Sequence, residues 1–410
     1  MKRSLLFLVF AMIAIQFLVV PSTGNAAKAL KIGIIDAYSG GAAPMCIDNL
    51  NGFKMAINAV NAKGGVNGTK IEFLTRDDKF KPDISLAMAK ELVMKEHVDM
   101  LLGTISSAST LAVSDFARKE KIPFFNTGAK SEKITGEKGH RYIFSMDENT
   151  YMPGKAAAQV LAKKPYVKYW LIGDDMEYGH AIVNAVWNNL KILKPDVKLV
   201  GETWYKVGEA DFGPYITQIM TAKPDCVIVG AAGASMIGFM KASKATGMNK
   251  TVPYYLHTGI DHTMLLANGL DSPEGVIGSA HYLFNYPLTP ENKAFVAEYR
   301  KLYNKYPTMP AFYGNLAGQV IIKALEKLNG KWDKEKFIDA VEGMVLEKTA
   351  AGRIEIRACD HQVLLPTYVG VTKKVPEYKD FLVPVDIVTV APKDGILSCE
   401  EIKKIRSGGK

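Results

Sequence analysis

The feature that most constrains this chain is a strand–loop–helix unit that recurs, breaks near residue 147 and begins again. KIGIID (31–36) reads as a strand and residues 48–62 as a helix, with Leu50, Phe53, Ile57 and Val60 close to one face and Lys63-Gly64-Gly65 as its stop. Strand IEFLT (71–75), a helix over 82–97, strand 100–102, a further helix to Lys119 and strand 122–125 continue the series. After Tyr142-Ile143-Phe144 the series restarts: a helix over 153–163, strand YWLIG (169–173), a helix with Ile182, Ala185, Val186 and Leu190, then KLVGETW, PYITQIMTA, CVIVG, MIGFMKASKATG and PYYLH. Such alternation predicts parallel, doubly wound α/β sheets, and its restart predicts two Rossmann-like lobes.

From about Gly275 the chain is expected to cross back, through GVIGSAHY, a helix over 290–303, the long helix in AFYGNLAGQVIIKALEKLNG and KEKFIDAVEGM, before a strand-rich end. The resulting division is a first lobe of 28–147 and 279–355, a second of 148–278 and 356–395, and a tail of 396–410. Three crossings make a hinge, and the cleft between lobes is the expected seat of a small ligand.

Two strand-to-loop junctions face such a cleft. VDMLLGTISSAST places Ser106, Ser107, Ser109 and Thr110 where a helix begins, so hydroxyls cap the first turn and its free N–H groups favour an anion. KIPFFNTGAK ends a second strand in Asn126, Thr127 and Gly128, close to Lys130. Ligands of open α/β sheets sit outside the carboxyl ends of adjacent strands, so the pair forms one coherent site for a carboxylate. Read singly, each Ser is equally an ordinary helix cap.

The ends of the chain carry other information. Lys2 and Arg3, an apolar run from Leu5 to Val20, and Gly24-Asn25-Ala26 have the layout of a signal peptide over 1–26, cleaved after Ala26 or Ala27, which predicts an exported protein. No later apolar run reaches the ~18 residues of a membrane span. Of the 4 cysteines, Cys226 lies in an apolar strand, whereas Cys359 and Cys399 sit in polar surroundings and are expected to pair, closing a loop of about forty residues. The 7 histidines lack zinc-ligand spacing, so neither metal nor cofactor is expected. The net charge of +9 is spread over surface lysines, which argues against nucleic acid.

KIGIIDAYSG, NGFKMAINAVNAKGGVNG, GTISSAST, IPFFNTGA and DDMEYGH occur in an order that resembles the type I periplasmic solute-binding proteins, the branched-chain amino acid and amide receptors of ABC importers. The resemblance runs from Leu30 to about Val390. It implies a monomeric receptor that hands a small solute to permease subunits. Ser106, Ser107 and Ser109, with Thr127, Gly128 and Lys130, would hold the ligand's acidic end. Tyr178 would cover it from the other lobe, and the loop containing Ala231 and Gly233 would form a further wall.

Two departures bear on the ligand. Lys130 stands where amino-acid binders place Thr, and could pair with a carboxylate. HTGIDHT (257–263) stands where they carry the Glu that holds the α-ammonium. An ammonium with no anion opposite would cost several kcal/mol. The expected ligand is therefore a small aromatic or aliphatic carboxylate, with Tyr178, Tyr282 and His257 shaping the pocket. The alternatives are a branched-chain amino acid or amide with Asp261 as ammonium partner, or a ligand sensor reporting to a membrane receptor. An exported enzyme is the rival class: GxSxG, GxxxxGK, HExxH and GxGxxG are all missing, and the Asp174, Glu177 and His180 cluster reads as a lid loop.

Overall fold

The computed structural model describes residues 28–408, so the expected signal peptide lies outside the described residues. The first sheet contains β1 (Leu30–Asp36), β2 (Ile71–Asp77), β3 (Met100–Gly103), β4 (Phe124–Asn126) and β5 (Ile143–Ser145), all parallel, in the order β2-β1-β3-β4-β5. The second contains β6 (Lys168–Asp174), β7 (Lys198–Tyr205), β8 (Cys226–Gly230), β9 (Tyr254–His257) and β10 (Ile277–Ala280), with parallel neighbours in the order β7-β6-β8-β9-β10. The two orders are the same topology. Each lobe therefore reverses direction at one place, between β1 and β3 and between β6 and β8, which is where doubly wound sheets open a crevice.

The apolar strands are buried on both faces: β3 and β8 are covered throughout, as parallel strands between helical layers require. The helix Ala43–Ala62 begins five residues before the expected Asp48, with a Pro in its first turn, and packs against the helix Met309–Lys327. That contact brings the returning segment onto the first lobe. Close approach explains two glycines there: a Cβ at Gly52 would meet the Ala311 carbonyl oxygen at 1.8 Å, and one at Gly314 the Asn49 carbonyl oxygen at 1.9 Å.

Three connections join the lobes. The first runs from β5 to the helix Tyr151–Leu161 and carries Asp147 and Glu148; the second leaves β10 and begins with His281. The third falls later than the expected 355/356 boundary. β11 (Val345–Thr349), β12 (Gly352–Ile356) and β13 (Val363–Leu364) form their own antiparallel sheet, and His361 stacks on Phe144 at 4.2 Å. The chain thus stays on the first-lobe side until Leu364, because β13 is hydrogen-bonded there. β14 (Thr367–Lys373) and β15 (Val383–Val390) then close the edge of the second sheet, antiparallel beside β10.

The C-terminal helix Cys399–Arg406 is bound back through a Cys359–Cys399 disulfide with a sequence separation of 40, and Arg406 donates to the carbonyls of Thr135 and Gly136. In the chain-entropy description a loop of that size contributes about 4 kcal/mol. Replacing both cysteines by Ser should lower the unfolding free energy by up to that amount, read from denaturant midpoints in oxidising buffer.

Candidate functional site

A cavity of about 680 Å³ opens at the carboxyl ends of both sheets, bounded by the two lobes. Its first-lobe wall comes from the expected junctions. Ser106 is the N-cap of the helix Ser107–Glu120, with extended backbone and its Oγ accepting from the Ser109 N–H at 3.4 Å. Ser107 and Ala108 line the cavity at the first helical turn, where N–H groups have no intrahelical acceptor. β3 can end here because its last residue is glycine: a Cβ on Gly103, at φ +118°, would meet the Ile35 carbonyl oxygen at 1.8 Å. Thr127, Gly128 and Lys130 line the same wall, and Thr127 is fixed by Asn49, which donates to its carbonyl at 2.8 Å.

Tyr178, Gly233 and Asp261 close the second-lobe side. Four expected ligand residues lie elsewhere. Ser109 faces the interior of its helix packing, and Ala231 is packed into the second-lobe core. Tyr282 is stacked on Phe312 at 4.9 Å with its hydroxyl donating to Asn292, so it belongs to the core of the returning segment. His257 lies one layer behind the wall, its Nδ1 2.8 Å from the Tyr178 hydroxyl, and therefore orients the tyrosine without reaching the cavity.

Lys130 is not a free cation. Its ammonium is 2.6 Å from Glu148 Oε1 and lies over the Tyr313 ring at 5.0 Å, and Tyr313 donates to the other oxygen of Glu148. Burial opposes ionisation of Glu148, but Lys130, with His281 and His257 beyond it, outweighs that and holds the carboxyl well below its usual range. Burial pushes neighbouring Asp147 up against the opposing pull of Lys130, and the Glu148 charge adds to the rise. His257 Nε2 is 3.4 Å from Glu148 Oε1. The chain Lys130, Glu148, His257, Tyr178 thus runs from one lobe to the other. Glu148, His257 and His281 offer ligand atoms within 4.8 Å of one another, the spacing of a metal site, but the lysine ammonium already supplies the cation there.

Sequence reasoning missed several wall residues. Asp36 ends β1 and Asp174 ends β6, each lining the cavity. Their signal was present, since a carboxylate terminates each lobe's first apolar strand. Burial raises Asp36 to about 6, and the same cause raises Asp261 to about 6. Tyr313 and a set of methionines, Met45, Met176, Met236, Met264 and Met309, complete the wall. Nothing local in the sequence marks them.

A profile of the family described as periplasmic binding protein matches residues 29–375. The chain belongs to the periplasmic binding protein family. It is 25% identical over 377 residues to the Leu/Ile/Val-binding protein homolog 4 of Brucella abortus, covering 87% of each chain. It is 27% identical over 312 residues to the leucine-specific-binding protein of Salmonella typhimurium, covering 76% of this chain and 81% of that one. The solute-binding protein of an ABC transporter from Rhodopseudomonas palustris HaA2, in complex with p-hydroxybenzoic acid, superposes with a TM-score of 0.80 at 25% identity, over 89% of this chain and 98% of that one. Periplasmic binding proteins are transporter receptors, not enzymes, and the two-lobed α/β architecture here is theirs. Among the described residues no helix is long and apolar enough to cross a membrane.

In this periplasmic binding protein, the buried Lys130–Glu148 pair should behave as one unit. Lys130→Met or Glu148→Gln alone should cost about 3–5 kcal/mol, and the double variant should cost less than the sum, measured by urea unfolding. Glu148 is depressed, so its contribution is complete above the unfolded value of 4.5 and is lost as pH falls below it. Wild-type stability should therefore fall more steeply than that of Glu148→Gln below that pH.

Proposed function

We propose that this protein is the periplasmic substrate-binding component of an ABC importer, capturing a small carboxylate by closure of the two lobes. The observation that carries the reading is the helix start at Ser106, Ser107 and Ala108, which turns N–H donors and a helix dipole toward a cavity of about 680 Å³. A cavity of that size suits a small ligand. The methionines, Tyr178 and Tyr313 that share this wall favour an apolar or aromatic body, because thioethers and ring faces adapt to flat apolar groups. The p-hydroxybenzoic acid bound by the Rhodopseudomonas palustris protein supports an aromatic acid.

A ligand without an α-amino group is favoured by the setting of Asp261, whose Oδ1 is already engaged within the wall, accepting from the Met309 N–H at 3.2 Å. A second reading, a branched-chain amino acid, rests on the same residue lining the cavity and on the leucine-binding relatives.

The mechanism needs no bond chemistry. Ligand docks on the first-lobe junctions, and closure brings Tyr178 and the 231–235 loop over it; only interactions that form in the closed state shift the equilibrium. Glu177 supports the closed form from the rim, accepting from Ser131 Oγ at 3.0 Å and pairing with Lys133. The closed outer faces of a monomer are then read by permease subunits. Export follows from the N-terminal segment, and Edman sequencing of the secreted form should begin at Ala27 or Lys28.

Calorimetry against benzoate, a branched keto acid and leucine tests the ligand: one of the two acids without an amino group should bind and leucine should not. Tight leucine binding with neither of those acids binding would instead give Asp261 the ammonium. Tyr178→Ala should weaken affinity for whichever compound binds by roughly ten-fold or more, about 1.4 kcal/mol, with the fold intact by circular dichroism. Unchanged affinity would count against closure over the ligand.

A further inference from the structure

The two lobes share a topology, so their switch points can be compared residue by residue. In the first lobe Ile35 pairs with Gly103, the next residue is Asp36, and Asp36 Oδ1 accepts from Ile105 N–H, two residues past that glycine, at 2.9 Å. In the second, Gly173 pairs with Gly230, the next residue is Asp174, and Asp174 Oδ2 accepts from Ala232 N–H, again two residues past the glycine, at 3.0 Å. The two aspartates are structural counterparts.

Their surroundings differ. Asp36 Oδ1 also accepts from the Ala37 N–H and the Cys46 thiol, at 3.0 and 3.1 Å, so that oxygen is employed by its own lobe. Asp174 is 1% exposed, and while the Ser235 hydroxyl stands beside its carboxylate, Oδ1 has no hydrogen-bond partner. Several buried polar atoms of the described residues lack a partner, but Asp174 is the one residue among them that also lines the cavity. A buried carboxylate oxygen left unmatched is destabilising, and a site so built favours a ligand that supplies the missing donor.

We infer that Asp174 is a specificity-determining residue, and that the ligand carries a hydroxyl group, remote from its carboxylate, which donates to Asp174 Oδ1. This rests on the carboxylate reading above and narrows it to hydroxy acids, with hydroxybenzoates as the aromatic case. The carboxylate rests on the first-lobe helix start, whereas the hydroxyl reaches a second-lobe residue. The two ends of one molecule then engage the two lobes, and a ligand lacking the hydroxyl gives up part of the free energy that drives closure.

The test is calorimetry on the mature full-length protein with benzoate, 3-hydroxybenzoate, 4-hydroxybenzoate and leucine. In the wild type at least one hydroxybenzoate should bind roughly ten-fold or more tighter than benzoate. Asp174→Asn keeps an acceptor for Ala232 N–H but sets an amide donor where Oδ1 stood, so the ratio of the two affinities should fall to near one; Asp174→Ala should do the same. Equal affinities for all three acids in the wild type would overturn the hydroxyl assignment while leaving the carboxylate reading in place, and that comparison does not depend on any variant folding. A wild-type ratio that survives both substitutions would move the hydroxyl's partner away from Asp174. If no acid binds, the carboxylate reading fails and this inference with it. Tight leucine binding lost in Asp174→Asn would assign the oxygen to an ammonium and reject the hydroxyl.

Discussion

The closed arrangement depends on one buried ion pair. Glu148 is fully buried and its oxygens are taken by Lys130 and Tyr313 on the first-lobe side, with His257 approaching from the second. A carboxylate so deep cannot stay ionised without a cation, and the Lys130 ammonium supplies it. Glu148 lies on the first connection between lobes. His281, on the second, is within 2.9 Å of the Pro366 carbonyl on the third. All three connections therefore converge on the same small polar cluster, and a displacement of one lobe changes the surroundings of the charge.

The cavity beside this cluster divides its labour. The first lobe offers donors, from a capped helix start and from backbone held by Asn49 and Asn126; the second offers the flat face of Tyr178, held by His257, and the carboxylate of Asp174. The methionines between them are adaptable surface, which sets shape loosely and leaves selection to the polar ends. Because Lys130 is neutralised within the wall, the proposed ligand carboxylate would meet helix N–H groups and hydroxyls more directly than a bare ammonium.

Remote structure supports the rim. The disulfide holds the last helix against the 131–139 loop through Arg406, and that loop carries Ser131 and Lys133, which grip Glu177 next to Tyr178. A covalent constraint at the C-terminus thus steadies a latch across the cleft.

Element type, parallel sheets, two lobes and the junctions at Ser106, Ser107, Thr127 and Gly128 were legible in the sequence, because periodicity, caps and strand ends are local properties of neighbouring residues. The strand carboxylates Asp36 and Asp174 were legible too, as charges ending apolar runs, although their roles were not. Only the tertiary structure decided what met across the chain: Tyr313 reaches Glu148 over 165 residues, Tyr282 turns into the core, and the third connection waits until Leu364. Those outcomes depend on how three crossings close on one another, and so on long-range burial and charge pairing that no short window of sequence contains.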